Sequence, residues 1–199
     1  MSRPLQDMTN EELWALFPVI LREHDPVWAE WFSEERRTLE AAVGTGRIVG
    51  IHHIGSTAVP GLLAKPTVDI LLEVKEGIVP EELIADIVSA GYLYTEQPDK
   101  PAPHMMFMKG YTPDGFGERV FHLHVRYGGD WDELWFRDYL KTHPETAAAY
   151  AGLKQELKVR YEHDRDAYTD AKTDFVRRIT RLAREESSPT PKDRQVLGD

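Results

Sequence analysis

The sequence predicts an α+β fold, a mixed β-sheet flanked by helices with a helical C-terminal part. Three observations predict it. Short β-branched or alternating runs, bounded by Gly, Pro and Asp, recur between residues 47 and 126. Helical periodicity precedes and interrupts them. Beyond Asp130 the spacing is helical throughout. The expected organisation is one domain over residues 1–186, with a sheet-containing core at about 25–128 and a helical part at about 130–186, then a flexible tail over 187–199.

Each element has a local cause. Thr9-Asn10-Glu11-Glu12 reads as a capping box, so a short helix follows and is interrupted near Pro18. Asp25-Pro26 opens a second helix, because Asp accepts the free amide hydrogens of a first turn and Pro is tolerated there. Trp28, Trp31, Phe32, Glu35, Leu39 and Val43 then repeat at helical spacing, and Gly44 and Gly46 end the helix. Strands are expected from Arg47 to Ile54 and from Val68 to Val74. Pro80 opens a helix with Leu83, Ile84, Ile87 and Val88 on one face, and Gly91 ends it. A short strand from Tyr92 to Glu96 and a polar loop from Gln97 to Pro103 come next. Two more strands, Met105 to Lys109 and Arg119 to Arg126, are joined around Pro113-Asp114-Gly115. Helices should cover about Asp132 to Thr142, Pro144 to Tyr161 and Asp166 to Glu185; Tyr150, Leu153, Leu157 and Tyr161 form a packing stripe.

Composition excludes several classes. A 41% hydrophobic content is enough for a buried core, and 10% aromatics argue against general disorder. With no cysteine there is neither a disulfide framework nor a thiolate metal site, which fits a reducing cytoplasm. No signal peptide and no stretch of about 18 apolar residues is visible, so the expectation is a cytoplasmic protein with no membrane partner. The net charge of −10 opposes a broad grip on nucleic acid. Residues 151–184 nevertheless hold nine Lys or Arg against six Asp or Glu, either a solvated helical face or a surface turned toward phosphate.

The run from Ile51 to Leu72, His-His-Ile-Gly-Ser-Thr-Ala-Val-Pro-Gly-Leu-Leu-Ala-Lys-Pro-Thr-Val-Asp at its centre, reads as a strand, a small-residue turn and a second strand bearing Asp69. Gly55 permits backbone angles closed to other residues, and Ser56 and Thr57 add hydroxyls, so the turn suits a phosphate. It can equally be a plain strand-ending turn. It is no P-loop: five residues separate Gly55 from Gly61, and Leu62-Leu63 stands where Lys-Ser/Thr is needed. Lys65 lies between turn and strand, within reach of a phosphate or facing solvent.

Phe121-His122-Leu123-His124-Val125-Arg126 alternates, placing His122, His124 and Arg126 on one face. A His-x-His pair can bind a metal, meet a phosphate or act as base, or can be a solvated face. A cupin-type site lacks its Glu after the pair, and no His-Glu-x-x-His indicates a zinc peptidase. His52 and His53 are adjacent and point oppositely.

The central run resembles the signature of the GrpB family, a branch of the nucleotidyltransferase superfamily. Trp135-Phe136-Arg137-Asp138-Tyr139-Leu140 with His143-Pro144, the His-Leu-His-Val element, and Tyr168-x-x-x-Lys172-x-x-Phe175 resemble further family elements, so the likeness runs from about Trp28 to Ile179. It implies a nucleotidyltransferase-like fold and transfer of a nucleoside monophosphate from an NTP to an unidentified acceptor. In the superfamily, Gly-Ser precedes two acids two positions apart that share Mg²⁺. Asp69 matches the first, Leu71 stands at the second, and Glu73 is the next residue on that face, about 7 Å beyond at ~3.3 Å per residue.

The implied site has Asp69, His122 and His124 as catalytic residues. Gly55, Ser56, Thr57, Lys65 and Arg137 would bind phosphate, with Lys154 and Lys172 as further contacts. Asp69, Glu73, His122 and His124 would hold Mg²⁺ or Mn²⁺. Arg137 has a competing reading as the salt-bridge partner of Asp138. Two other functions stay open: a non-catalytic module for a nucleotide or CoA-like ligand (family members also occur fused to dephospho-CoA kinase), and a His-dependent metal hydrolase.

Overall fold

The computed structural model describes residues 3–97, 100 and 103–187. The elements in chain order are α1 (Asn10–Leu16), α2 (Val27–Val43), β1 (Ile48–Ile54), β2 (Val68–Val74), α3 (Pro80–Ser89), β3 (Leu93–Thr95), β4 (Met105–Thr112), β5 (Gly115–Tyr127), α4 (Asp132–Thr142), α5 (Pro144–Tyr161), α6 (Arg165–Asp170) and α7 (Thr173–Ser187). The strands form one mixed sheet of order β1-β2-β5-β4-β3, in which β2 and β5 run parallel and every other pair antiparallel. The mixed α+β class expected from the sequence is what the chain forms. Among the described residues no helix is long and apolar enough to cross a membrane.

The two faces of the sheet differ because side chains alternate along each strand. Val68, Ile70, Leu72 and Val74 of β2, with Phe121, Leu123 and Val125 of β5, pack on Trp28, Leu39 and Val43 of α2 and on Leu83 and Ile87 of α3. The opposite face carries Asp69, Leu71 and Glu73 beside His122, His124 and Arg126, each pair in register across β2 and β5. The C-terminal helices build their own apolar clusters: Val59 and Leu62 with Phe136, Leu140, Tyr150 and Ile179, and Val19 with Leu157 and Tyr168. The segment between β1 and β2 thereby ties the helical part to the sheet.

Local signals placed most boundaries. Thr9 and Glu12 make the reciprocal capping bonds, and Asp25 Oδ1 accepts the Val27 amide at 3.0 Å. Three elements depart from expectation. A 3₁₀ turn takes Thr45–Arg47, so β1 begins at Ile48. The β4–β5 hairpin is longer: the register shifts between Lys109 and Tyr111, where Gly110 of β4 faces the longer 117–120 stretch of β5, and pairing resumes at Tyr111 with Phe116 and Thr112 with Gly115. The expected helix from Asp166 to Glu185 breaks into α6 and α7 at Ala171–Lys172. No Gly or Pro marks that break; the fully buried Tyr168 ring, with the Lys172 amine 4.3 Å from its centroid, accompanies it. Of the expected Gln97–Pro103 loop, residues 98, 99, 101 and 102 lie outside the described residues, as does the expected tail from residue 188 onward.

Gly110 has φ +88°, and a Cβ there would overlap the Arg119 carbonyl oxygen, a backbone atom that cannot swing aside. Gly110→Ala should therefore destabilise the protein by about 3 kcal/mol or more, read as a lower urea midpoint with unchanged slope.

Candidate functional site

The turn after β1 sits against the carboxylate of β2. Gly55 has φ +69°, and a Cβ there would overlap Asp69 Oδ2 and lie 3.1 Å from Asp69 Cβ, so only glycine lets the turn close on this acid. Ser56 Oγ accepts a hydrogen bond from Lys154 Nζ at 3.0 Å, and the same amine donates to the Leu63 carbonyl. The Ser56 hydroxyl also bonds Tyr150, tempering the rise that burial imposes on that phenol. Thr57 does not join it. Its buried hydroxyl donates to the Thr67 carbonyl at 3.1 Å and so accepts from His53 Nε2 at 2.9 Å. Thr57 is thus a tether between turn and strand.

Asp69 Oδ1 lies 3.2 Å from His122 Nδ1. His122 Nε2 meets Tyr111 Oη at 2.7 Å, and Arg165 donates to that same oxygen at 2.9 Å. The donors fix a direction. Arginine can only donate, so the tyrosine proton goes to His122 Nε2, and the Nδ1 proton faces the carboxylate. Burial alone would raise the Asp69 carboxyl, but the His122 hydrogen bond outweighs it, joined by the charge of Lys65 and, at the acid pH where they protonate, of His122 and His124, and the carboxyl stays below its usual range. Burial lowers His122, against the pull of Asp69, and raises Tyr111. The site at neutral pH is therefore an aspartate, a neutral imidazole and a phenol. Both ring nitrogens of His122 are engaged. In this arrangement His122 positions Asp69.

Around this chain gather amines pushed toward neutrality. Burial lowers Lys65 to about 8, with Arg165 adding repulsion. Burial and Lys65 lower Lys154 to about 7. Lys172 is also lowered to about 7, by burial and then by Lys65, with Lys154 and Arg165 contributing. Lys65 and Lys172 share the Tyr168 ring, at 5.6 and 4.3 Å from its centroid, and Lys154 lies 4.6 Å from that of Tyr150. Among the described residues Asp69 is the one carboxylate whose charge offsets Lys65 and Lys172, and none offsets Lys154. The Tyr168 hydroxyl is buried without a hydrogen-bond partner.

Other expected residues stand apart. Glu73 accepts from His52 Nε2 at 2.7 Å and from the Gly129 amide at 2.8 Å, two pleats along the strand from Asp69. Arg137 grips Asp138 through Nε and Nη2, at 2.7 and 2.9 Å, and donates Nη1 to the His53 carbonyl at 3.0 Å. Its geometry is that of the competing salt bridge. His124 lies between Leu71 and Met106 in register, and burial lowers it to about 4, so it is a neutral imidazole one pleat from Asp69.

The donor set does not fit a resident Mg²⁺ or Mn²⁺. Such ions take several oxygens, whereas the one carboxylate here is opposed by Lys65 and Lys172, the second acid position is Leu71, and Glu73 is engaged elsewhere. Among the described residues no group of three or more His, Asp or Glu is arranged to hold a metal. Tyr111 and Arg165 escaped the sequence reading because no periodicity or motif signals a hairpin phenol meeting a loop-end guanidinium across 54 positions.

Comparisons with known proteins place this arrangement. A family model described as GrpB protein matches residues 18–182. The chain is 43% identical over 157 residues to a UPF0157 protein of Pseudomonas aeruginosa, covering 78% of this chain and 63% of that one. It is 31% identical to the glutamate-rich protein GrpB of Alkalihalophilus pseudofirmus, covering 81% and 93%. The crystal structure of conserved protein GrpB from Enterococcus faecalis superposes with a TM-score of 0.70 at 30% identity, covering 84% and 98%. A Mycolicibacterium paratuberculosis protein named dephospho-CoA kinase is 28% identical over 189 residues, which cover 46% of its length. The chain thus spans less than two thirds of the Pseudomonas relative and about half of the kinase.

The lysines give stability a pH dependence. An unfolded Lys titrates near 10.4, so between pH ~7 and ~10 the unfolded chain binds more protons than the folded one, and stability rises with pH. The melting temperature of the ligand-free protein should increase from pH 7 toward pH 10, and Lys154→Met should flatten the increase. A melting temperature that falls steadily over this range would show that the amines are not held near neutrality.

Proposed function

This chain belongs to the GrpB family, and from that premise we propose that its cleft binds the phosphates of a nucleoside triphosphate and transfers the nucleoside monophosphate to an acceptor. The observation that carries the reading is the gathering of Lys65, Lys154, Lys172 and Arg165 around one carboxylate and the Gly55–Ser56 turn. Amines buried together against a single acid are under strain until an anion enters. A polyphosphate supplies charge-assisted hydrogen bonds to each and restores their protons. The mixed sheet, with a Gly-Ser turn leading into the strand that bears Asp69, supports a nucleotidyltransferase-like assignment of the fold.

In the proposed reaction an acceptor oxygen attacks the α-phosphorus. The new P–O bond forms as the bond to the bridging oxygen breaks, and pyrophosphate leaves with its charge held by the lysines. The acceptor proton passes to Asp69. A carboxylate with a depressed pKa is a weak base, but in a loose phosphoryl-transfer transition state the acceptor proton becomes acidic late, when Asp69 suffices. His122, Tyr111 and Arg165 keep Asp69 ionised and aimed.

A second reading has its own support. With Leu71 at the second acid position and Glu73 turned to His52, the fold can hold a nucleotide or CoA-like ligand without turnover. Similarity to part of a protein named dephospho-CoA kinase is compatible with a ligand of that kind.

Titration calorimetry with tripolyphosphate and with NTPs should show binding that takes up protons at pH 8 and weakens as pH rises from 7 to 9. Ligand at a hundred times its Kd should add about 2.7 kcal/mol of stability, and Lys172→Ala should weaken binding at least tenfold. No binding of either ligand type sinks the proposal. Pyrophosphate release abolished in Asp69→Asn, with binding retained, identifies transfer; binding with no release in the parent protein leaves the second reading.

A further inference from the structure

A cavity of about 160 Å³ opens beside the phosphate cradle and shares two of its walls, Lys65 and Arg165. Trp31 and Phe116 supply aromatic walls, and Glu23 and Glu118 stand on its lining. An apolar cavity of about 150 Å³ holds a benzene ring, so this one suits a single flat ring with room at its mouth for more. We infer that it seats the base of the bound nucleotide and favours a base bearing an exocyclic amino group. The inference rests on the phosphate reading above and adds a selectivity to it.

The chemistry of the lining makes the choice. The Glu23 and Glu118 carboxylates make no hydrogen bond or ion pair among the described residues. These exposed carboxylates only accept, so they repel further phosphate, and a ring amino group can replace the water that solvates them. Adenine, cytosine and guanine present an amino group; uracil presents two carbonyl oxygens flanking one N–H. A cationic amine would also meet the acids, but Arg22, Lys65 and Arg165 on the same lining already balance Glu23, Asp25 and Glu118, whereas a neutral ring needs no counter-charge. Those two cations also give continuity. Their charges reach His122, beside Asp69, so phosphates held there leave the attached base a short path into the cavity.

The full-length chain would be titrated with tripolyphosphate, ATP, CTP and UTP, in the parent and in a Glu23→Ala, Glu118→Ala double variant. Both side chains are exposed, so the fold should be retained, which thermal melting checks. The expected result is ATP and CTP binding at least tenfold tighter than UTP and tripolyphosphate in the parent, with that ratio falling to near one in the variant. A ratio below threefold in the parent, or one unchanged in the variant, overturns the base subsite while tripolyphosphate binding keeps the phosphate cradle. Failure of tripolyphosphate to bind at all removes the cradle itself, and this inference with it.

Discussion

One carboxylate holds the candidate site together. Asp69 is pressed against Gly55 on one side and His122 on the other, and it is the acid offsetting the half-buried Lys65 and Lys172. Each neighbour depends on it differently. The turn can close only because residue 55 has no side chain, and the imidazole is oriented because its Nδ1 proton has this acceptor. Removing the charge would leave several cations buried with no counterion, a far larger penalty than the loss of any one hydrogen bond.

The sheet gives this acid its setting by keeping its two faces chemically distinct. One face is committed to α2 and α3 through an apolar layer. The other is polar along β2 and β5, and the C-terminal helices supply the cations that meet it. Site and fold are therefore made by the same contact: the amine of Lys154 on α5 caps the turn after β1, and Arg165 at the start of α6 reaches the β4 phenol. The depressed lysine pKa values are the cost of that contact, a local loss of stability.

The histidines illustrate how one residue type divides its work by position. His122 buttresses Asp69, His52 pairs with Glu73, and His53 bonds Thr57 while its ring stacks on Phe32 at 5.0 Å. His124 remains a half-buried neutral imidazole on the polar face. Adjacent or alternating histidines thus serve separate local networks, which is why a His-x-His pattern by itself does not make a metal site.

The sequence alone determined what depends on near neighbours. Caps at Thr9 and Asp25, prolines at helix starts, the alternation of β2 and β5, and the Gly55-Ser56 turn are all set within a few residues, so the strand bearing Asp69 and the turn facing it were legible. Tertiary structure decided whatever needs two distant segments to meet. It assigned Thr57 to Thr67, Arg137 to Asp138 and the β1 backbone, and Glu73 to His52, and it broke the last helix so that Lys172 lies over Tyr168. It also brought Tyr111 and Arg165 to His122. The reason is physical: a side chain's hydrogen-bond partner is the nearest unsatisfied group in space, and local spacing says which way a residue points but not what waits there.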